Sequence, residues 1–154
     1  INKNQKVSDQ LIADSGYGQG QILMNPLQLA SIFSAFVNNG SIYQPHIVQG
    51  QTKTWIKNVF SKETTKTIKE DLINAIADEN GTGHSIFHDN VILAGKTGTA
   101  EFSTSSKASH AWFVGYAHRE DKEDIAVAVI VEDSGSGSEY AVPIAKKIFD
   151  AYYQ

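Results

Sequence analysis

Two apolar runs, Ala111-Trp112-Phe113-Val114-Gly115-Tyr116 and Ile125-Ala126-Val127-Ala128-Val129-Ile130-Val131, constrain the fold of this chain more than any other feature. Both are rich in β-branched or aromatic side chains, and they are separated by the charged turn His118-Arg119-Glu120-Asp121-Lys122. Runs of this kind around a short polar turn form strands, and a link that short joins antiparallel neighbours. A third extended segment precedes them, where Val91-Ile92-Leu93-Ala94 leads through Gly95 into Lys96-Thr97-Gly98-Thr99-Ala100-Glu101. An antiparallel meander is therefore expected at the centre.

Helices flank it in the sequence. Asn25 is placed to cap one, with Pro26 at its first position, and Leu27, Ala30, Phe33 or Ser34, and Val37 recur at helical spacing until Asn38-Asn39-Gly40 stops it. That helix is apolar nearly all round, so it is expected to be buried. Ser61 caps a second helix, with Glu63 in its first turn and Ile68, Leu72, Ile73 and Ile76 as a stripe ending at Asn80-Gly81. Between the two, Ile42 to Val48, broken by Pro45, and Thr54 to Phe60 suggest a minor hairpin. Ser134 to Ser138 suggests a flexible connection, and Tyr140 to Tyr152 a closing helix over the sheet. The class is α+β, an antiparallel sheet flanked by helices. Residues 1–21 are polar and glycine-rich through Gly16-Tyr17-Gly18-Gln19-Gly20-Gln21, which fits an ordered loop beside a site better than a regular element. Ser103-Thr104-Ser105-Ser106-Lys107 suggests a mobile loop.

Composition narrows the function classes. The net charge of -4, with no lysine-rich run, offers no field for nucleic acid, and no nucleic-acid partner is expected. There is no cysteine, hence no disulfide framework or thiolate site. At 154 residues the chain suits one domain or part of one. No apolar run approaches the ~20 residues that span a bilayer, and Ile1-Asn2-Lys3-Asn4 is neither an initiator methionine nor a signal peptide. The chain is thus expected to be cut from something longer.

The chemistry concentrates in Lys96 to Glu101. On a strand, Lys96 and Gly98 share one face and Thr97 and Thr99 the other. A glycine leaves space for a ligand against the backbone, two hydroxyls can donate to a carboxylate, and an ammonium adds positive potential. A backbone N–H just past the glycine can face a developing oxyanion. A nucleotide loop is excluded, because the glycine it needs five residues before Gly95 is Asn90. The tetrapeptide by itself suits an ordinary polar turn equally well. Elsewhere, His84 and His88 stand four apart, but Ser85 replaces the glutamate of a zinc-peptidase pattern and no third ligand is evident, so no metal or other cofactor is expected. His110 is placed either to line a cleft across from Lys96 or to serve the structure alone; Tyr17 and Gln19 either support that cleft or shape their loop. Trp112 and Phe113 point to opposite faces, and Glu132-Asp133 cannot act as a carboxylate pair for the same reason.

Taken together, Gly16-Tyr17-Gly18-Gln19-Gly20, Asn25-Pro26-Leu27-Gln28-Leu29-Ala30, Asn38-Asn39-Gly40, Lys96-Thr97-Gly98-Thr99-Ala100-Glu101 and Ala111-Trp112-Phe113-Val114-Gly115-Tyr116 resemble, in order and spacing, penicillin-binding protein transpeptidase domains. The resemblance covers nearly the whole chain and is nearest to class B proteins of the low-affinity, methicillin-resistance type. It implies a fold like that of serine β-lactamases: a five-stranded antiparallel sheet sandwiched by helices, with an active site between the sheet's edge strand, supplied here, and a helical lobe. It further implies that Lys96, Thr97, Gly98 and Thr99 are the third catalytic motif. Thr97 and Thr99 would hold the carboxylate of a peptidoglycan stem peptide or a β-lactam, the Thr99 N–H would complete an oxyanion hole, and Tyr17, Gln19 and His110 would line the substrate site. The Ser-x-x-Lys that carries the nucleophile and the Ser-x-Asn that helps move protons do not occur in the sequence. Residues 1–154 are accordingly expected to be the C-terminal part of one transpeptidase domain, inactive alone, from a protein anchored upstream and facing the outside of a bacterial cell membrane. A β-lactam sensor domain and a non-enzymatic interaction module are the alternatives, and an exposed sheet edge would favour self-association.

Overall fold

The computed structural model describes residues 7–101 and 108–154. In chain order these form α1 (Asp9–Gly16), α2 (Pro26–Ser34), β1 (Ile42–Tyr43), β2 (Thr54–Ile56), α3 (Lys62–Ala77), β3 (Ile92–Ala100), β4 (His110–Arg119), β5 (Lys122–Val131) and α4 (Val142–Tyr152). A 3-10 turn, His84–Ile86, leads into β3, and a π-helical turn, Gly137–Ala141, leads into α4. The expected loop at Ser103–Lys107 lies outside the described residues.

The meander forms as the sequence leads one to expect, in the order β3-β4-β5, with both pairings antiparallel. Its register puts Thr97 opposite Phe113 and Thr99 opposite Ala111, while Lys96 faces Val114 and Gly98 faces Trp112. Directly opposed residues share a face. One face carries Leu93, Ala111, Phe113, Ala117, Val127 and Val129 and packs on Val142, Ala145 and Phe149 of α4. The opposite face carries Ala94 and Tyr116 and packs on Phe36 after α2 and Leu72 of α3. Because α3 sends Leu72 to one cluster and Ile76 to the other, it straddles the sheet margin beside β3. Helices thus cover both faces.

Local chemistry explains the element ends. Asn25 accepts from the Leu27 N–H at 2.8 Å and Ser61 from the Thr64 N–H at 3.0 Å, so both helices begin where their capping side chains dictate. At the far end of the sheet, α4 is clamped by its last carbonyls. Arg119 donates to the Tyr153 carbonyl at 2.7 Å, Lys122 donates to that of Tyr152, and the Tyr153 hydroxyl donates to the Ala117 carbonyl at 2.9 Å. With its C-terminus fixed there, α4 brings its N-terminal turn beneath the opposite end of β3.

Three expectations need correction. The stretch expected to be a loop contains α1, whose Ser8 cap accepts from the Leu11 N–H at 3.2 Å. No residue of α1 is buried, so no apolar stripe marks it in the sequence. The helix capped by Asn25, α2, is not buried all round: Leu27 is 59% exposed, and Ser31 is the one buried residue within Pro26–Ser34. Its apolar side faces a groove shared with Trp55, Ile56 and Val59. Finally, Ser134 to Ser138 is no loose link, since Gly137 is buried against the sheet. The minor hairpin exists, but its paired strands are only two and three residues long.

Candidate active site

Halfway along β3 the environment changes. Val91, Leu93, Ala94 and Gly95 are buried, whereas Lys96 and Thr99 are exposed and Thr97 and Gly98 are half-buried. The strand stays paired with β4 throughout, so the backbone continues while the cover over it ends. Lys96 to Ala100 therefore present an ordered, solvent-facing segment at the margin of the described sheet.

The polar side chains of this segment, and the Thr99 carbonyl, have partners from another element or from the strand itself. Lys96 donates to the Thr97 carbonyl at 2.9 Å, which keeps the ammonium beside the strand with further donors to spare. Thr97 donates through its hydroxyl to the Thr82 hydroxyl at 2.8 Å. Thr99 accepts at its hydroxyl, 3.4 Å from the Gly137 nitrogen. Gln19 donates from its side chain to the Thr99 carbonyl at 3.0 Å, from outside the sheet. In an antiparallel ladder the N–H and C=O of one residue point to the same side. The Thr99 N–H consequently faces that same edge, where no strand among the described residues takes it up.

Gly98 is open on one face and filled on the other. A Cβ at Gly98 would meet only the Trp112 Cβ, at 3.3 Å, on the Lys96 side. Beneath it, between Thr97 and Thr99, lies Gly137. The space for a ligand is thus on the Lys96 side and along the edge.

The 17–20 loop owes its position to α1. The Gln19 N–H donates to the Asp14 carbonyl at 2.9 Å, and Gly18 and Gly20 take φ of 85° and 76°, values that disfavour any side chain. Gln19 is carried by that turn onto β3. Tyr17 is 71% exposed and its hydroxyl donates to Asp14 at 3.0 Å, a carboxylate that raises its pKa through the hydrogen bond and its charge. His110, opposite Ala100, accepts the Asp133 N–H at 3.1 Å through Nδ1, with the Asp133 carboxylate 4.0 Å away. It thereby joins the start of β4 to the loop after β5.

The remaining candidates serve local structure. His84 bonds the Ile76 carbonyl through Nδ1 at 3.0 Å and stacks on Phe87, and His88 accepts the Asn90 N–H at 3.1 Å. Two neighbours of the motif are not signalled by the sequence pattern. Thr82 is a single threonine between glycines in no pattern, and Gly137 sits in a Gly/Ser run typical of a linker. The one available signal for Gly137 is the Ser136 cap with Pro143 shortly after it, which together announce an ordered helix start.

Comparison with known proteins converges on one group. A profile described as penicillin binding protein transpeptidase domain matches residues 1–150. Penicillin-binding protein 3 of Bacillus subtilis is 40% identical over 94% of this chain and 23% of its own length. Peptidoglycan D,D-transpeptidase MrdA of Haemophilus influenzae is 32% identical over 89% of this chain and 25% of its own. Among solved structures, penicillin-binding protein A from M. tuberculosis, as a ceftriaxone acyl-enzyme, superposes with a TM-score of 0.78 at 25% identity, over 93% of this chain and 35% of that one. Penicillin-binding protein 2B from Streptococcus pneumoniae has the same fold, with a TM-score of 0.78 at 22% identity over 96% of this chain and 27% of that one. The chain spans about a quarter of the length of these two curated relatives.

Proposed function

The chain belongs to the penicillin-binding protein transpeptidase domain family, and from that membership we propose that it is the C-terminal part of a serine D,D-transpeptidase domain that cross-links peptidoglycan and is acylated by β-lactams. The observation that carries this reading is the open half of β3. It holds one ammonium, two hydroxyls and an outward backbone N–H on a rigid segment, with free space on the Lys96 side.

Each group has a part in acyl transfer. The substrate or drug carboxylate lies along the edge, taking hydrogen bonds from the threonine hydroxyls while Lys96 supplies compensating charge. As the serine oxygen of the missing Ser-x-x-Lys attacks the acyl carbon, negative charge grows on the carbonyl oxygen, and the Thr99 N–H stabilises it. Gln19 fixes Thr99 from the carbonyl side, so the neighbouring N–H is already aimed before substrate arrives. The Thr97 and Thr82 hydroxyls act as a pair, because the one that donates to its neighbour leaves the other's proton for the ligand. The isolated chain lacks the nucleophile and is inactive.

The names of the relatives favour a synthase over a β-lactam sensor. Within the family, the linked landmarks support the low-affinity, methicillin-resistance type, for which sluggish acylation by methicillin is expected. The site works at the outer face of a bacterial cell membrane; no helix among the described residues is long and apolar enough to cross one. Expressed alone, the chain self-associates through its sheet margins. A clean monomer by light scattering at high concentration contradicts that.

The decisive variant is Thr99→Val in the complete domain. Acylation by a β-lactam with a free carboxylate is expected to slow by about tenfold or more, and acylation by its methyl ester to change far less. An unchanged rate with the free carboxylate removes the assignment.

A further inference from the structure

We infer that Gly137 is a positioning residue for the catalytic strand: the π-helical turn it opens is a seat that fixes the height and hydroxyl direction of Thr99. The inference rests on the reading of Lys96–Thr99 as the carboxylate wall and goes beyond it, because the seat belongs to a different element and touches no ligand.

The close approach depends on the absent side chain. A Cβ at Gly137 would collide with the Trp112 carbonyl oxygen and come within 2.5 Å of the Gly98 carbonyl oxygen and 2.9 Å of the Gly98 nitrogen. All three are backbone atoms of paired strands, which cannot swing aside as a side chain can. Glycine thus meets glycine across the sheet face, and the turn lies directly under the motif. From there the Gly137 N–H points at the Thr99 hydroxyl oxygen, 3.4 Å away. A hydroxyl has one proton and two lone pairs, so accepting from Gly137 commits a lone pair inward and turns the proton outward, toward a ligand.

The seat is held from every side. Ser136 caps the turn by accepting the Glu139 N–H at 3.3 Å. Ser134 and Gly135 both donate their N–H groups to the Ser109 carbonyl at 3.0 Å, and Asp133 donates to His110. Behind the turn, Ala141 and Val142 are fully buried in the cluster with Ala111 and Phe113. Turns of this wide-hydrogen-bonded type are rare and tend to accompany functional sites. Here the type sets Gly137 under Thr99 while the same residues begin α4. His110 contributes through this loop, as a support for the seat.

The test uses the complete domain and second-order acylation rates with a free-carboxylate β-lactam and with its methyl ester. Gly137→Ala is expected to slow the carboxylate reaction by about tenfold or more, since a shift approaching an ångström can cost up to about 100-fold, while the ester reaction changes by less than about twofold. Added to Thr99→Val, Gly137→Ala is expected to cost less than about twofold more, because its effect runs through that hydroxyl. Ser136→Ala, which loosens the turn without filling the space under Gly98, is expected to show the same carboxylate selectivity in smaller measure, and it decides the matter if Gly137→Ala does not fold. Equal slowing of carboxylate and ester, additivity with Thr99→Val, or an unaffected rate in both seat variants overturns the inference. Should Thr99→Val itself leave the carboxylate reaction unchanged, the wall reading fails first; should it slow that reaction while the seat variants do not, only the seat fails.

Discussion

The two halves of β3 share one backbone, one partner strand and one register, yet they do opposite work. Leu93 to Gly95 is closed: α4 and the margin helix α3 cover it, and Gly95 packs so tightly that a Cβ there would lie 2.5 Å from the Phe113 ring. Lys96 to Ala100 is open, and its polar groups are met by Thr82, Gln19 and Gly137, one small contact each from three separate elements. The closed half stabilises the fold by burial, and the open half stays rigid without burial because the first half anchors it. The proposed carboxylate wall needs that arrangement, since an exposed segment can bind charge and a rigid one can aim it.

Substitutions should separate the halves, and the largest effect is expected in the closed one. Leu93 is 6% exposed within the main cluster, so Leu93→Ala should lower the unfolding free energy by about 2–5 kcal/mol in urea melts. Acylation per folded molecule should hardly change. In the open half the pattern inverts: Lys96→Ala should slow acylation by about 100-fold, while stability moves by no more than about 0.5 kcal/mol. If Leu93→Ala harmed acylation as selectively as Lys96→Ala, the halves would not be distinct.

Alkaline pH reaches the closed side through two buried tyrosines. Tyr116, opposite Ala94 and fully buried, is pushed up to about 12 by burial and by the nearby Asp124 charge, and burial likewise pushes Tyr153 up to about 12. Both exceed the ordinary tyrosine value of 10, so between these limits the folded chain holds protons that the unfolded chain has released. Stability should therefore be flat below pH 10 and fall as pH rises toward 12. Tyr116→Phe should flatten part of that fall, and a profile unaltered by it would mean that Tyr116 does not contribute. The smallest effect is expected at Thr82→Val, which removes one member of the hydroxyl pair. Acylation should slow by about two- to tenfold, with Thr82→Ser restoring the rate.

The split between the halves is legible in the sequence itself, because the apolar run ends at Ala94 and the polar motif begins at Lys96. The helix caps at Asn25 and Ser61 are legible for a related reason, each being a local interaction between a side chain and its own backbone. Contacts distant in sequence are not. Gln19 reaches Thr99 across 80 positions and Gly137 across 38, and neither leaves a periodic trace. The surface helix α1 hides behind its polar composition, and the exposed side of α2 defies its apolar sequence because hydrophobicity reports what a surface prefers and not what covers it. Gly137 is masked by its neighbours: serine and glycine make linkers when nothing packs on them and make a seat when a backbone does.

The proposed function gives this chain the wall of the active site and not its nucleophile. Treating the isolated 154-residue chain and the complete domain with a fluorescent penicillin, then mapping the label by mass spectrometry, decides whether that division holds. Label is expected on the complete domain alone, on a serine outside this chain; covalent label on the isolated chain would contradict the account.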